Sequence, residues 1–266
     1  MSFTSFLREK QYLENVSTNT LRWYKHALKW LPSESPDERA LKNMVIRMRE
    51  KGLKATGCNA AIRAINCYLR WSGSPHTIHQ LREPQLVLPT FSNEQVKLLV
   101  SYKPKTDFQR LLHLLILILL DTGCRISEAL SIRSSDIDLD SLLITLHGKG
   151  RKDRKVPISF ELRKVLFKYL EGRDRLFVAS TGKPWGRMGA LRSVKLHCQK
   201  LGFEPPARTL HAFRHTFAIN YLRRGGSVFH LQTCLGHASL DMTRRYANLV
   251  TEDLQQIHQR VSLLAI

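Results

Sequence analysis

The strongest constraint on the fold is an apolar run from Leu111 to Leu120, interrupted only by His113. A helix that spans a membrane needs about 20 apolar residues, and this run is far shorter. The run therefore predicts a helix buried in the core of a globular domain, and we expect no membrane partner. Residues 1–10 contain neither an apolar segment nor a small-residue cleavage site. We therefore expect no secretory signal and a cytoplasmic protein.

Two prolines, Pro84 and Pro89, mark the expected domain boundary, because proline interrupts helices and favours extended chain. Before them, apolar residues recur at helical spacing, which predicts four short helices. One of these helices should begin with Ser35 as its capping residue. We expect an N-terminal helical domain over residues 1–83, a linker over 84–89 and a second domain over 90–266.

The second domain is expected to combine helices with one β-hairpin. Residues 92–95 have the pattern of a capping box that opens a helix. Residues 142–146 and 154–158 flank a basic turn, and their composition predicts two paired strands. Helical periodicity dominates again from Phe160. The overall prediction is a mainly α protein with a small β-sheet, in which a helical bundle precedes an α+β domain.

The charge of the chain suggests an anionic partner. Lys and Arg number 42 against 22 Asp and Glu, which gives a formal net charge of +20 and a pI near 10.1. Both predicted domains are basic, which favours a polyanion gripped from both sides over a basic surface kept for solubility. Arg47, Lys54 and Arg63 in the first domain are candidate phosphate contacts, although they could equally form a solvated face.

Three clusters in the second domain combine basic, hydroxyl and imidazole groups. They are Thr122-Gly-Cys-Arg-Ile-Ser-Glu128, His211-Ala-Phe-Arg-His215, and Leu235-Gly-His237 followed by Tyr246. In this order and spacing they resemble the tyrosine recombinase family, which includes phage integrases and Xer recombinases. The resemblance covers most of the chain. It implies a helical core-binding domain of SAM-like fold, followed by the catalytic domain.

The resemblance implies that Tyr246 cleaves DNA, forming a 3′-phosphotyrosyl link and freeing a 5′-hydroxyl. It also implies that Arg125 and Arg214 bind the scissile phosphate. A guanidinium suits this role because its planar fork donates to two oxygens while negative charge develops on them. Taken without the family, Tyr246 is one of seven tyrosines and could pack its ring in the core.

The proton transfers of this reaction are implied to use a lysine and histidines. Lys149, in the basic turn of the hairpin, would protonate the leaving oxygen, with Lys152 as its local rival. His211 would assist proton transfer near the tyrosine, and His237 would donate to a phosphate oxygen. His215 has no counterpart among the family's catalytic positions, so we expect it to be a core residue.

Other residues would support the site. Glu128 could orient Arg125 or a histidine, or it could simply be a carboxylate on a helix face. Arg151, Lys152 and Arg244 are further candidate DNA contacts.

We expect no metal ion. Imidazole and thiolate side chains, such as His211 and Cys234, are good zinc ligands, but the segment from His211 to His215 lacks the glutamate of H-E-x-x-H. The resemblance likewise implies no metal and no nucleotide cofactor, because the phosphotyrosyl bond stores the energy of the cleaved linkage.

The implied partners are double-stranded DNA and three further copies of the chain, which is monomeric in free solution and tetrameric in the synaptic complex. Beyond Tyr246, an apolar stripe at helical spacing could pack in cis or, as we favour, on a neighbouring copy; it comprises Leu254, Ile257, Val261 and Leu264. Two alternatives are a type IB topoisomerase or telomere resolvase and a catalytically silent DNA-binding protein. The sequence leaves open the target site, accessory proteins and the choice among integration, transposition and dimer resolution.

Overall fold

The computed structural model describes residues 2–83, 88–148, 153–170, 173–179, 182–237 and 239–247. The chain divides into two compact units, Met1–Val87 and Leu88–Ile266. Most of the predicted linker, residues 84–87, lies outside the described residues. In the part of the chain that is described, no helix is both long and apolar enough to cross a membrane.

The first unit is helical, as its apolar spacing predicts. Its described residues form α1 (Phe3–Tyr12), α2 (Thr18–Leu28), α3 (Glu38–Glu50) and α4 (Ala55–Trp71). The buried faces of these helices meet around Phe6, Met48 and Tyr68, whose side chains have no exposed surface. Phe6 packs edge-on against Tyr68 with ring centroids 5.4 Å apart, a geometry that aromatic pairs favour.

The predicted cap of α3 is wrong. The capping residue is Asp37 rather than Ser35, and its carboxylate accepts a hydrogen bond from the Ala40 N–H at 2.7 Å. A carboxylate at a helix N-terminus gains from the helix dipole as well as from this hydrogen bond. Asp37 therefore sets the start of the helix two residues later than the serine would.

Helix α6 (Asp107–Thr122) is the centre of the second unit and confirms the prediction from the apolar run. Leu114, Leu115 and Ile118 on this helix are fully buried. Helix α6 packs against α5 (Asn93–Ser101), α7 (Ile126–Ser131), α8 (Phe160–Leu170), α9 (Arg187–Lys200) and α10 (Thr209–Arg223). The capping box at Ser92 and Gln95 that opens α5 is also confirmed.

The second unit contains a three-stranded antiparallel sheet of β1 (Ile137–Asp138), β2 (Leu143–His147) and β3 (Asp153–Pro157), in that order. Strands β2 and β3 form the predicted hairpin, with Ile144 opposite Val156. Strand β1 has only two residues, too few for a period-2 pattern to predict. The described chain ends with α11 (Val228–Leu235) and α12 (Asp241–Ala247), which pack on α10. The fold is mainly α with a small sheet, as predicted.

Candidate active site

Arg125 is held at the junction between α6 and α7. Gly123 ends α6 with a left-handed φ of 60°, and a Cβ at this position would lie 2.2 Å from the ring of Phe217. Only glycine fits such a turn without strain. Two residues later, the Arg125 backbone N–H and its Nη1 each donate to Glu128, both at 2.8 Å. The Arg125 side chain remains 40% exposed, so its guanidinium can still reach a ligand.

Arg214 approaches the same place from α10 and is only 6% exposed. Its Nη1 donates to the carbonyl oxygen of Gly123 at 3.0 Å, and its Nη2 donates to that of Leu235 at 2.7 Å. Burial, followed by the charge of Arg125, lowers the pKa of Arg214 to about 10. The guanidinium stays charged at neutral pH, so Arg214 and Arg125 are two cations close enough to repel each other, an arrangement that an anion would stabilise.

Glu128 is the buried carboxylate that organises this cluster. Arg154 on β3 donates to both of its oxygens, from Nη1 at 3.0 Å and Nη2 at 2.8 Å, and its Nε donates to the Cys234 carbonyl at 2.8 Å. Burial raises the pKa of Glu128, but hydrogen bonds from Arg154 and Arg125 outweigh it and lower the pKa to about 2. Glu128 therefore contacts Arg125 directly, and its role in orienting Arg125 stays a prediction.

Arg154 is a site residue that the sequence analysis missed. The available signal was its position in β3, because Arg154 and the buried Val156 are two residues apart and share one face of the strand. A charged side chain on an inward face requires a partner, and Glu128 supplies it. Arg154 also lies 3.1 Å from where a Cβ on Gly236 would stand, so glycine is needed at the turn before His237.

Tyr246 lies on α12 and is 4% exposed. Its hydroxyl is 2.9 Å from Nδ1 of His215. Its ring stacks parallel to that of His237, with centroids 6.3 Å apart and 5° between the planes. Burial raises the pKa of Tyr246, whereas the neighbouring Arg214 and the charges of Arg245 and Arg125 act to lower it. The phenol thus lies beside Arg214, and the charge of Arg125 also acts on it.

The histidines around the tyrosine have distinct surroundings. The Nδ1 of His237 shares a hydrogen bond of 2.8 Å with the Thr243 hydroxyl. Burial and the charges of Arg214 and Arg125 lower the pKa of His237 to about 4. His215, expected in the core, is only half-buried and contacts the phenolic oxygen instead. In the sequence, only the position of His215 one residue after Arg214 could have indicated that it belongs to the site.

His211 lies one helical turn before His215, at the rim of a separate hollow of about 350 Å³. The hollow is also lined by Arg187, Lys195 and Arg208. Burial and the positive charges of Arg187 and Arg214 lower the pKa of His211. Among the described residues, none of these three basic side chains has a carboxylate partner. Arg208 precedes α10 with a left-handed φ of 54°, a conformation that costs energy for a residue with a Cβ.

The roles of the remaining candidate residues stay predictions. Lys149, Arg151 and Lys152 lie outside the described residues. Lys54 and Arg63 are exposed, and Arg47, also exposed, donates to the Trp30 carbonyl at 2.6 Å.

Two further observations concern the edges of the site. Arg244 is exposed, 3.3 Å from a carboxylate oxygen of Asp241. Within the described residues, no group of three or more histidine, cysteine, aspartate or glutamate side chains could hold a metal ion.

Comparisons with known proteins show which family this chain resembles. The model of the phage integrase family matches residues 89–252. Tyrosine recombinase XerA of Pyrococcus furiosus is 32% identical over 265 residues, which cover 95% of this chain and 91% of the relative.

Solved structures share the fold. A crystal structure of XerA recombinase has a TM-score of 0.57 at 24% identity, with 97% of both chains covered. The integrase of transposon Tn1549, in complex with a circular intermediate DNA, has a TM-score of 0.76 at 21% identity. The comparison covers 96% of this chain and 97% of that one.

Proposed function

Because the chain belongs to the phage integrase family of site-specific tyrosine recombinases, we propose that it cleaves and rejoins double-stranded DNA through a phosphotyrosyl link at Tyr246. One observation carries the assignment of the site. The Tyr246 hydroxyl lies against His215 and beside Arg214, with the charge of Arg125 acting on it and His237 stacked on its ring. We propose that the nucleophile and the phosphate clamp come from one copy of the chain and that the compartment is the cytoplasm.

In the proposed cleavage step, the phenolic oxygen of Tyr246 attacks the scissile phosphorus while the bond to the 5′-oxygen breaks. Arg214 and Arg125 donate to the non-bridging oxygens, where negative charge grows. The leaving oxygen takes a proton from Lys149, and His237 donates to the phosphate. His211 would act beside the scissile phosphate, from the rim of the hollow lined by Arg187, Lys195 and Arg208, which we call the basic hollow. Rejoining reverses these steps, so the reaction consumes neither a metal ion nor a nucleotide.

The test of this function is formation of a covalent adduct. A target site is first selected by the protein from a pool of random duplexes, then nicked close to the cleavage position so that the released fragment diffuses away. We expect a protein–DNA species that survives denaturation and forms in EDTA. Recombinase relatives favour this reaction over DNA binding alone; a selected, tightly bound site that yields no adduct would support the silent DNA-binding protein.

We propose that the basic hollow beside His211 binds the DNA backbone next to the scissile phosphate. Replacement of Arg187 or Arg208 with glutamine should weaken DNA binding. Each lost phosphate contact should reduce the slope of log affinity against log salt by about 0.9. Fluorescence anisotropy over a range of salt concentrations measures this slope.

Lys42→Gln is the matched control, because Lys42 is exposed on α3 and pairs with Glu38. A slope that stays at the wild-type value in both hollow variants would place the backbone elsewhere.

We propose further that four copies assemble on two DNA sites. The second unit carries an apolar groove of about 450 Å³ between α5, α6, α8 and α10. Its apolar lining includes Val96, Leu117, Leu120, Val165 and Phe217. The apolar stripe that the sequence predicts, comprising Leu254, Ile257, Val261 and Leu264, would have matching chemistry if a neighbouring copy supplied it. These four residues lie outside the described part of the chain.

Deletion of residues 251–266 is expected to abolish tetramer formation on DNA while single-site binding persists. Val100, 48% exposed at the rim of the groove, offers a second variant, since Val100→Asp should give the same defect with the tail intact. Light scattering of the protein–DNA complexes measures the assembly. If both variants form tetramers as the wild type does, the tail does not dock in this groove.

A further inference from the structure

His215 is the residue that contacts the nucleophile directly. Its Nδ1 lies 2.9 Å from the Tyr246 hydroxyl, and the two ring centroids are 5.7 Å apart with 46° between the planes. His215 follows Arg214 on α10, so the helix that positions one arm of the phosphate clamp also positions this imidazole. The other two histidines of the site make different contacts: His237 hydrogen-bonds Thr243, and His211 lines the basic hollow.

The charges around His215 set its protonation state, and the tautomer of the neutral ring then sets the direction of the hydrogen bond. Burial, and interactions with His211, Arg214 and Arg208, lower the pKa of His215 to about 4. From the other elements packed on it, His215 meets the Tyr246 hydroxyl and, more remotely, His237. The imidazole is therefore neutral at neutral pH, and the phenol donates to Nδ1 when the ring proton sits on Nε2.

We propose that His215 positions the Tyr246 hydroxyl and accepts its proton as the phenolic oxygen attacks the phosphorus. This inference rests on the proposed function. The O–H bond breaks as an N–H bond forms at Nδ1, and the phenolic electron pair forms the new O–P bond. The 5′-oxygen departs with the electrons of the broken P–O bond and takes a different proton, from the general acid. When the strand is rejoined, His215 returns its proton to the phenol.

Binding of DNA favours this transfer. The cations that disfavour a charged His215 include Arg214 and Arg208, and a phosphate held by Arg214 would offset their charge. The acidity of the phenol also rises as its oxygen bonds to phosphorus. The contact between His215 and Tyr246 is thus present before DNA binds, and the basicity of His215 increases once DNA is bound.

The experiment isolates the deprotonation of tyrosine. A nicked target site carries sulfur in place of the scissile 5′-bridging oxygen, because a thiolate leaves without needing a proton. Single-turnover adduct formation is followed from about pH 5.5 to about pH 9. The variants are His215→Ala, which removes the contact, and His215→Asn, whose Oδ1 can still accept a hydrogen bond but takes up no proton.

We expect His215→Ala to form adduct roughly 10²-fold more slowly at neutral pH, a typical loss for a general base. Its rate should then rise about tenfold per pH unit, because only the small ionised fraction of the phenol can attack. The wild-type rate should level off within the range. His215→Asn should recover part of the rate and keep the steep pH dependence. His230→Ala is the control, since His230 is exposed on α11.

The outcomes separate the two proposals. A wild-type protein that forms no adduct on its selected site contradicts the proposed function itself. A wild-type protein that reacts while His215→Ala matches or exceeds its rate, with the same pH profile, overturns the role of His215 alone. Affinity for uncleaved DNA reports folding of each variant, and His215→Asn decides the question if the alanine variant binds poorly.

Discussion

Replacement of Tyr246 with phenylalanine is expected to abolish the covalent DNA adduct while leaving DNA affinity and the fold almost unchanged. The substitution removes only the phenolic oxygen. The ring that stacks on His237 remains, and the 4% exposure of the side chain means that its packing supports α12. Loss of the hydrogen bond to His215 should cost about 1 kcal/mol of unfolding free energy. Loss of a nucleophile should reduce the cleavage rate by more than about 10⁴-fold.

The control is Tyr169→Phe, because Tyr169 lies on α8 in the same unit and packs against the guanidinium of Arg173. Denaturing gels of the nicked-site reaction measure the adduct, and thermal unfolding measures the fold. An adduct that persists in Tyr246→Phe at the wild-type rate would assign the nucleophile to another residue. Mass spectrometry of the adduct peptide would then identify that residue.

The parts of the fold that the sequence predicts are those governed by local chemistry. The run from Leu111 to Leu120 is apolar except for His113, so most of its helix surface is buried. The face that carries His113, Leu117 and Leu120 is partly exposed and lines the apolar groove. The hairpin follows from two β-rich segments around a basic turn. The start of α3 is harder to predict from sequence, because Ser35 and Asp37 are both good capping residues and only hydrogen-bond geometry distinguishes them.

The candidate active site is predictable only in part, because some of its contacts join residues that are far apart in the sequence. Arg125, Arg214 and Tyr246 belong to motifs that resemble a family, whereas Arg154 depends on a contact between residues 26 positions apart. No periodic pattern links a strand residue to Glu128. The same limit applies to His215, whose partner lies 31 positions away.

The two histidines on α10 illustrate this limit best. His211 and His215 are four residues apart and therefore lie on the same face of the helix. From sequence alone, His211 is expected near the nucleophile and His215 in the core. Packing decides between them, because α12 crosses α10 where His215 lies. His211 instead faces Arg187 and Arg208 at the beginning of the helix.

Replacement of Arg214 with lysine is expected to reduce the rate of adduct formation by roughly 10²- to 10³-fold, the usual cost of losing one donor to a developing oxyanion. Lysine keeps the positive charge but not the planar fork. In the wild type, two nitrogens of that fork are committed to the Gly123 and Leu235 carbonyls. These bonds tie the end of α6 to the end of α11 and direct the rest of the guanidinium toward Tyr246. One ammonium group cannot hold both carbonyls and a phosphate in that arrangement.

Lysine is a better test than alanine, because alanine would leave two buried carbonyls without donors at a cost of about 1–3 kcal/mol each. The matched control is Arg192→Lys on α9, where the arginine is exposed. Single-turnover rates at saturating DNA separate the cleavage step from binding. A lysine variant that cleaves at the wild-type rate would mean that Arg214 serves only to hold α6 and α11 together. The developing phosphate charge would then be met by Arg125 and the other donors of the site, and the proposed division of the clamp between two arginines would be wrong.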